Sequence, residues 1–210
     1  MQLLDYVQNN MNNIIRLTIE HLQITGISII TAIVIGVPLG IIVTRYKRLA
    51  DPILASANIF QTIPSIAFFG ILIPFMGIGK ETAILVLFLY ALLPIIKNTY
   101  TGINEVSSSL IDAGRGMGMT NFQILRMVEL PQSLAVIMAG VRIATVINIG
   151  SATIAAYIGA GGLGELIFKG IQMYRNDMIL VGAILAALLA VVADKLLGYV
   201  EHKLTPRGMK

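Results

Sequence analysis

The chain has 210 residues, of which 56% are hydrophobic and only 12% charged, with a net charge of +4 and a mean hydropathy of +0.83. A soluble fold of this size cannot hide that much apolar surface, and a disordered chain needs far more charge, so a multi-pass membrane protein is left. The lack of cysteine excludes disulfide scaffolds, zinc–thiolate sites and thiol nucleophiles.

In chain order, the N-terminus MQLLDYVQNN has no basic region and no cleavage site, which predicts no removable signal peptide. Apolar positions Leu3, Leu4, Val7, Met11, Ile14, Ile15 and Leu17 fit a surface helix over residues 1–20. They fit equally the solvated start of a first span. Long uncharged runs then predict five spans: Leu22–Thr44, Pro52–Gly79, a third from Glu81 to Ile96, one within Pro131–Gly164, and Met178–Ala193. The second is long enough to tilt or to hold a re-entrant bend. The fourth region is too long for one ordinary span, so its first turns are expected to project from the membrane. A sixth pass is the rival count.

Five spans place the termini on opposite sides. With the N-terminus outside, the inside receives Arg45, Lys47, Arg48, Lys97, Arg115, Arg126, Lys195, Lys203, Arg207 and Lys210, and the outside only Arg16, Lys80, Lys169 and Arg175. That bias favours N-out, C-in, with residues 195–210 as a cytoplasmic tail.

Between spans three and four, residues 105–131 form the longest polar segment. Ser107–Ser109 offer a helix cap, and Leu110, Ala113 and Met117 stand at helical spacing. Gly114, Gly116 and Gly118 allow a sharp turn. Thr120 or Asn121 caps a second short helix through Val128, and Pro131 suits the first turn of the next long one. Farther on, Gly150–Gly170 holds six of the 20 glycines. Gly159, Gly161, Gly162 and Gly164 predict irregular backbone near a membrane face, which needs protein or a water-filled cavity around it. A gate or docking surface and a plain helix terminator both fit.

Two motifs are decoys. Gly159 to Gly164 matches the spacing of a dinucleotide fingerprint but lacks a preceding soluble strand. Gly77-Ile-Gly79-Lys80-Glu81 echoes a phosphate-binding loop, but Glu81 stands where Ser or Thr is required. The chain is therefore expected to hold no ATP site and no cofactor, and it shows no catalytic set. His21 and His202 fall on opposite sides of the predicted topology, which disfavours a metal site.

The polar segment carries a specific resemblance. Asp112-Ala113-Gly114, then Gly118, Val128 and Leu130-Pro131 resemble the cytoplasmic loop of ABC-importer permeases: Glu-Ala-Ala, three residues, Gly, nine residues, Ile, one residue, Leu-Pro. Asp, Gly and Val replace Glu, the second Ala and Ile. EHLQIT, GVPLGIIVTR, QTIPSIA at 61–67, LPIIKNTYTGI at 93–103 and IGAGGLGELIFKGI at 158–171 are similar to one subgroup, the permeases for glycine betaine, carnitine, choline and related quaternary amines. The likeness covers roughly residues 15–207.

The resemblance implies an all-α, type I importer permease core (MetI-like) in the bacterial cell membrane, a single transmembrane domain. It implies a partner ATP-binding dimer carrying ATP and magnesium, a second permease, identical or related, an extracellular substrate-binding lipoprotein, and no nucleic acid. Asp112, Ala113, Gly114, Gly116, Gly118, Met119, Leu130 and Pro131 would form the coupling element docked on the ATPase. Asp112 either pairs with a basic group there or caps its own helix. A quaternary ammonium donates no hydrogen bond, so aromatic faces suit it; Phe60, Phe68, Phe69, Tyr90, Tyr100 and Tyr157 lie in or near spans. Gln61, with Asn148, Ser151 and Tyr157 as a set, and Gly161 and Gly162, are the expected pathway and gate residues. Arg142 is either functional or snorkels to the cytoplasmic interface. Ergothioneine import, or a secondary transporter without ATPase, are the alternatives.

Overall fold

The computed structural model describes residues 2–205, with side chains from Asp5 onward; the side chains of Leu3 and Leu4, and the predicted tail residues Arg207 and Lys210, lie outside this range. Among the described residues every regular element is helical: α1 Gln2–Asn9, α2 Met11–Arg45, α3 Ala50–Thr62, α4 Ser65–Met76, α5 Lys80–Asn104, α6 Ser108–Gly116, α7 Asn121–Ile124, α8 Leu130–Ala155, α9 Gly164–Gln172 and α10 Asn176–Leu204.

The N-terminal expectation divides at Asn10. Its side-chain amide donates to Tyr6 O at 3.0 Å and ends α1. No Gly or Pro interrupts residues 11–25, so α2 runs unbroken into the first span. Ile14 and Leu17, at helical spacing, pack on Leu163, Leu166 and Met178. Residues 11–20 are thus the start of the spanning helix and not a separate surface helix.

The second span is broken. α3 and α4 meet at 101° around Ile63 and Pro64; Ile63 is extended, as a residue before proline prefers. Whether this pair crosses or returns is decided by its ends. The start of α2 lies beside the start of α5, since Glu20 faces Lys80 at 3.8 Å. The end of α2 lies beside the start of α8, where Arg45 pairs with Glu129. The chain therefore leaves Arg45 at one pole and re-enters at Lys80 at the other, so α3–α4 is one traversing span with a bend. With α2, α5, α8 and α10 this makes five crossings among the described residues, whose two ends lie at opposite poles. We term these the N-terminal pole (Glu20, Lys80) and the loop pole (Arg45, Glu129).

Of the four unbroken spanning helices, α5 is the most enclosed and α10 the least. Small residues bring α5 close to its neighbours. An added Cβ at Gly36 would meet Ile95 at 2.9 Å, at Gly40 Thr99 at 2.6 Å, and at Gly140 Asn98 at 2.6 Å. Such approach replaces the missing hydrophobic drive between helices in lipid. Ile30, Val34, Leu188 and Val191 are at least half exposed on α2 and α10, as lipid-facing residues are.

Two local expectations are corrected and two are filled in. The second short helix of the polar segment does not stop: α7 passes through a π turn, Leu125–Glu129, straight into α8. Ser107 precedes α6 without a side-chain cap, because its hydroxyl bonds Ser109 at 2.7 Å instead. The predicted tail begins as helix, since α10 runs through residues 195–204. Arg142 neither snorkels alone nor stands unpaired: Nε donates to Asp194 at 2.8 Å and Nη1 to Glu201 at 2.9 Å, both on α10.

Candidate functional site

The bend in the second span creates a polar problem at membrane depth, and neighbouring side chains answer it. Pro94 has no N–H, so the Tyr90 carbonyl one turn earlier lacks its helical donor. Gln61 Nε2 donates to that carbonyl at 2.8 Å. The Tyr90 hydroxyl in turn donates to Ile63 O at the bend, 2.5 Å away. The two hydrogen bonds run in opposite directions between α5 and the end of α3. Non-helical backbone can survive here because protein satisfies it.

Beside this clasp lies an open groove of about 320 Å³, lined by Gln61, Thr62, Ile63, Pro64, Ser65, Tyr90, Ile147 and Ser151. Behind it Phe68 stacks on Phe60 with centroids 5.9 Å apart and tilts against Tyr90 at 5.7 Å. The groove lining thus includes one largely buried tyrosine, hydroxyls and an amide, and no ionised group.

The expected set of Asn148, Ser151 and Tyr157 is separated. Ser151 joins Gln61 in the groove. Asn148 is fully buried and turned to α2, its Nδ2 donating to Ser28 Oγ at 3.1 Å. Three residues on a helix differ by about 60° in direction, enough to place one side chain in a helix seam and the other in the groove. Tyr157 is 67% exposed and tilts on Phe168, away from both.

At the N-terminal pole, Gly159, Gly161 and Gly162 have φ of +74°, +83° and +80°, as the expected irregular segment requires. It is fastened to α2. The Gly162 N–H donates to Glu20 Oε2 at 3.3 Å, and Arg16 donates to the same carboxylate at 2.9 Å. A Cβ at Gly161 would strike Glu20. His21, fully buried, lies under Gly162 with Nε2 3.1 Å from Ile149 O. A carbonyl only accepts, so Nε2 carries the hydrogen. From sequence, His21 enters only as a possible metal ligand and Glu20 only as part of EHLQIT; neither is expected to hold this segment. At the same pole Arg175 lies over the Tyr6 ring, 5.5 Å from its centroid. Burial first, and then the Asp177 carboxylate, push the Tyr6 phenol above its ordinary value.

At the loop pole the coupling candidates form one compact tip. α6 ends in a Schellman motif: Met119 N donates to Gly114 O at 3.1 Å and Gly118 N to Arg115 O at 2.9 Å, with Gly118 at φ +78°. Gly114 is buried, and its bare Cα faces Met119 Sδ and Ile124. Gly116 meets open space. Asp112 is exposed and lies 3.5 Å from Arg115 in its own helix. Thr120 and Gln123 form the capping box of α7. Leu130 and Pro131 begin α8. Ala113, Leu110 and Met117, the predicted apolar face, stay exposed.

This five-crossing bundle with an ordered loop tip is that of a transport permease. Residues 36–206 match the family "Binding-protein-dependent transport system inner membrane component", and the chain belongs to it. It is a multi-pass membrane protein. It is 46% identical to the carnitine transport permease protein OpuCB of Listeria monocytogenes, covering 98% of this chain and 94% of that one. It is 44% identical to the choline transport system permease protein OpuBB of Bacillus subtilis, covering 99% and 96%. It is 45% identical to the osmoprotectant import permease protein OsmW of Salmonella typhimurium, across the whole of both chains. A chain of the inward-facing MetNI methionine ABC transporter superposes with a TM-score of 0.85 at 28% identity, covering 93% of this chain and 98% of that one. The fold is the MetI-like, type I importer permease fold, and the chain is a transport component.

Proposed function

We propose that this chain is the permease subunit of an ATP-driven importer for quaternary-amine osmoprotectants such as glycine betaine, carnitine or choline. Identity above 40% over nearly the full length, to permeases named for carnitine and choline transport, carries this reading. The groove chemistry is compatible with it: a methylated ammonium donates no hydrogen bond and is attracted to aromatic rings, and the lining includes Tyr90 and neutral polar groups. Tyr90 supplies the aromatic ring at the groove wall, and Gln61, Ser65 and Ser151 orient the rest of the solute.

The groove is open on one side, so a second permease, identical or related, closes the path. The loop pole faces the cytoplasm, where the basic residues collect. There Asp112, Ala113, Gly114, Gly116, Gly118 and Met119 dock on an ATP-binding subunit, which holds the ATP and magnesium. Leu110 and Met117 offer the exposed apolar contact for it, while Leu130 and Pro131 fix the exit into α8. Gly161 and Gly162, held by Glu20, face outward as gate or docking surface for a substrate-binding lipoprotein.

Mild-detergent capture of the tagged chain from its native membrane, with mass spectrometry, tests this. An ATP-binding subunit and a binding lipoprotein are expected together. The lipoprotein is then titrated with glycine betaine, carnitine, choline and ergothioneine; tight binding of ergothioneine alone would move the substrate assignment. A chain that remains alone after crosslinking would overturn the importer.

A further inference from the structure

One ion pair ties the π turn at the base of the loop tip to the end of α2, 84 residues earlier in sequence. The π turn Leu125–Glu129 interrupts an otherwise continuous helix, and such turns persist where tertiary contacts hold them. Its last residue, Glu129, is 3% exposed. Arg45, the last residue of α2, reaches its carboxylate with both terminal nitrogens: Nη1 donates to Oε1 at 3.0 Å and Nη2 to Oε2. A carboxylate so enclosed requires such a partner, and the two-point fork resists sliding and rotation as a single contact does not.

Both sides of this pair are tightly packed. Toward the tip, α6 presents its bare Gly114 to Ile124, immediately before the π turn. Toward the groove, α2 is set against α5 by Gly36 on Ile95 and Gly40 on Thr99. α5 in turn carries Tyr90, the anchor of the bend. Arg142 with Asp194 and Glu201 ties α8 to α10 instead.

The geometry points to Arg45 and Glu129 as a coupling strut: positioning residues that carry displacement of the α6 tip to α2, and through α5 to the Gln61–Tyr90 groove. This rests on the chain being an ATP-driven permease. The pair touches neither solute nor nucleotide. It sets how much transport each hydrolysis event produces.

The test uses the whole importer in proteoliposomes, with a mixture of radiolabelled glycine betaine, carnitine and choline as the probe. Solute taken up per ATP hydrolysed is measured beside the yield of assembled complex. Glu129→Gln, Arg45→Glu and Glu129→Arg each lower that ratio about tenfold, while the charge-exchanged double variant Arg45→Glu/Glu129→Arg recovers about a third of it. A purely structural pair moves the yield and leaves the ratio alone. A ratio near wild type in Glu129→Gln overturns the strut. So does a double variant that restores assembly without the ratio, or that restores neither. Wild-type complex that hydrolyses ATP without importing any of the three solutes would instead overturn the functional reading itself.

Discussion

At the residue scale, the groove is held by a chain of consequences that begins with a missing hydrogen. Pro94 leaves the Tyr90 carbonyl without a donor, Gln61 supplies one, and the Tyr90 hydroxyl secures the bend at Ile63. Gln61→Leu strips that carbonyl, and a buried unpaired carbonyl costs about 1–3 kcal/mol. Pro94→Ala restores the helical N–H. In that background Gln61→Leu is expected to cost less than half as much, measured by thermal unfolding of the purified chain in detergent. Equal costs in both backgrounds would show that Gln61 does not serve the Tyr90 carbonyl. Tyr174 is a second such residue. It occupies the αL position closing α9, with φ +55°, where glycine is preferred, and it is 95% exposed. Tyr174→Gly relieves this backbone and is expected to stabilise the chain by about 1 kcal/mol, read as a raised Tm.

At the element scale, helices approach where a side chain is absent. Gly26 and Gly40 both lie within α2. A Cβ at Gly26 meets nothing within 4 Å, whereas one at Gly40 lands 2.6 Å from Thr99. Gly26→Ala should gain up to about 1 kcal/mol of helix propensity. Gly40→Ala should lose about 1–3 kcal/mol by overpacking the α2–α5 seam. Parallel unfolding curves distinguish them, and equal effects would mean that the seam is not tight. The loop tip follows a different rule. Gly118 has φ +78° but open space around it, and Asp tolerates this conformation better than most residues. Gly118→Asp should therefore leave the chain folded and inserted while abolishing ATP-driven uptake, because a charge enters the docking contact. Normal uptake would remove Gly118 from that contact.

At the scale of the whole molecule, five crossings and two chemically distinct poles predict a sided protein. The chain lacks cysteine, so single-cysteine reporters are clean. Tyr174→Cys, at the N-terminal pole, should react with an impermeant thiol reagent in intact cells. Met117→Cys, 76% exposed at the loop pole, should react only once the cytoplasmic face is opened. The reverse pattern would invert the orientation.

Much of this architecture was legible in the amino-acid sequence, for a physical reason. Membrane insertion demands long apolar runs with internally satisfied backbone, and that demand is local. The runs mark five crossings, the glycines from Gly159 to Gly164 mark irregular backbone, and Thr120 or Asn121 marks a helix start. The relations between helices were not local. Spacing placed Asn148 with Ser151, but the rotation of α8 against α2 sends the first to Ser28 and leaves the second beside Gln61. Arg142 looked like a lone charge because Asp194 and Glu201 stand more than 50 residues away. Glu129 carried no signal in the sequence, because its partner Arg45 stands 84 residues away at the end of α2. Sequence by itself determined where the chain crosses, turns and exposes its loop tip, since those follow from hydrophobicity and backbone chemistry over a few turns. Tertiary structure alone decided which buried polar groups meet, because that depends on the rotation and depth of whole helices, set by close glycine contacts distant in sequence.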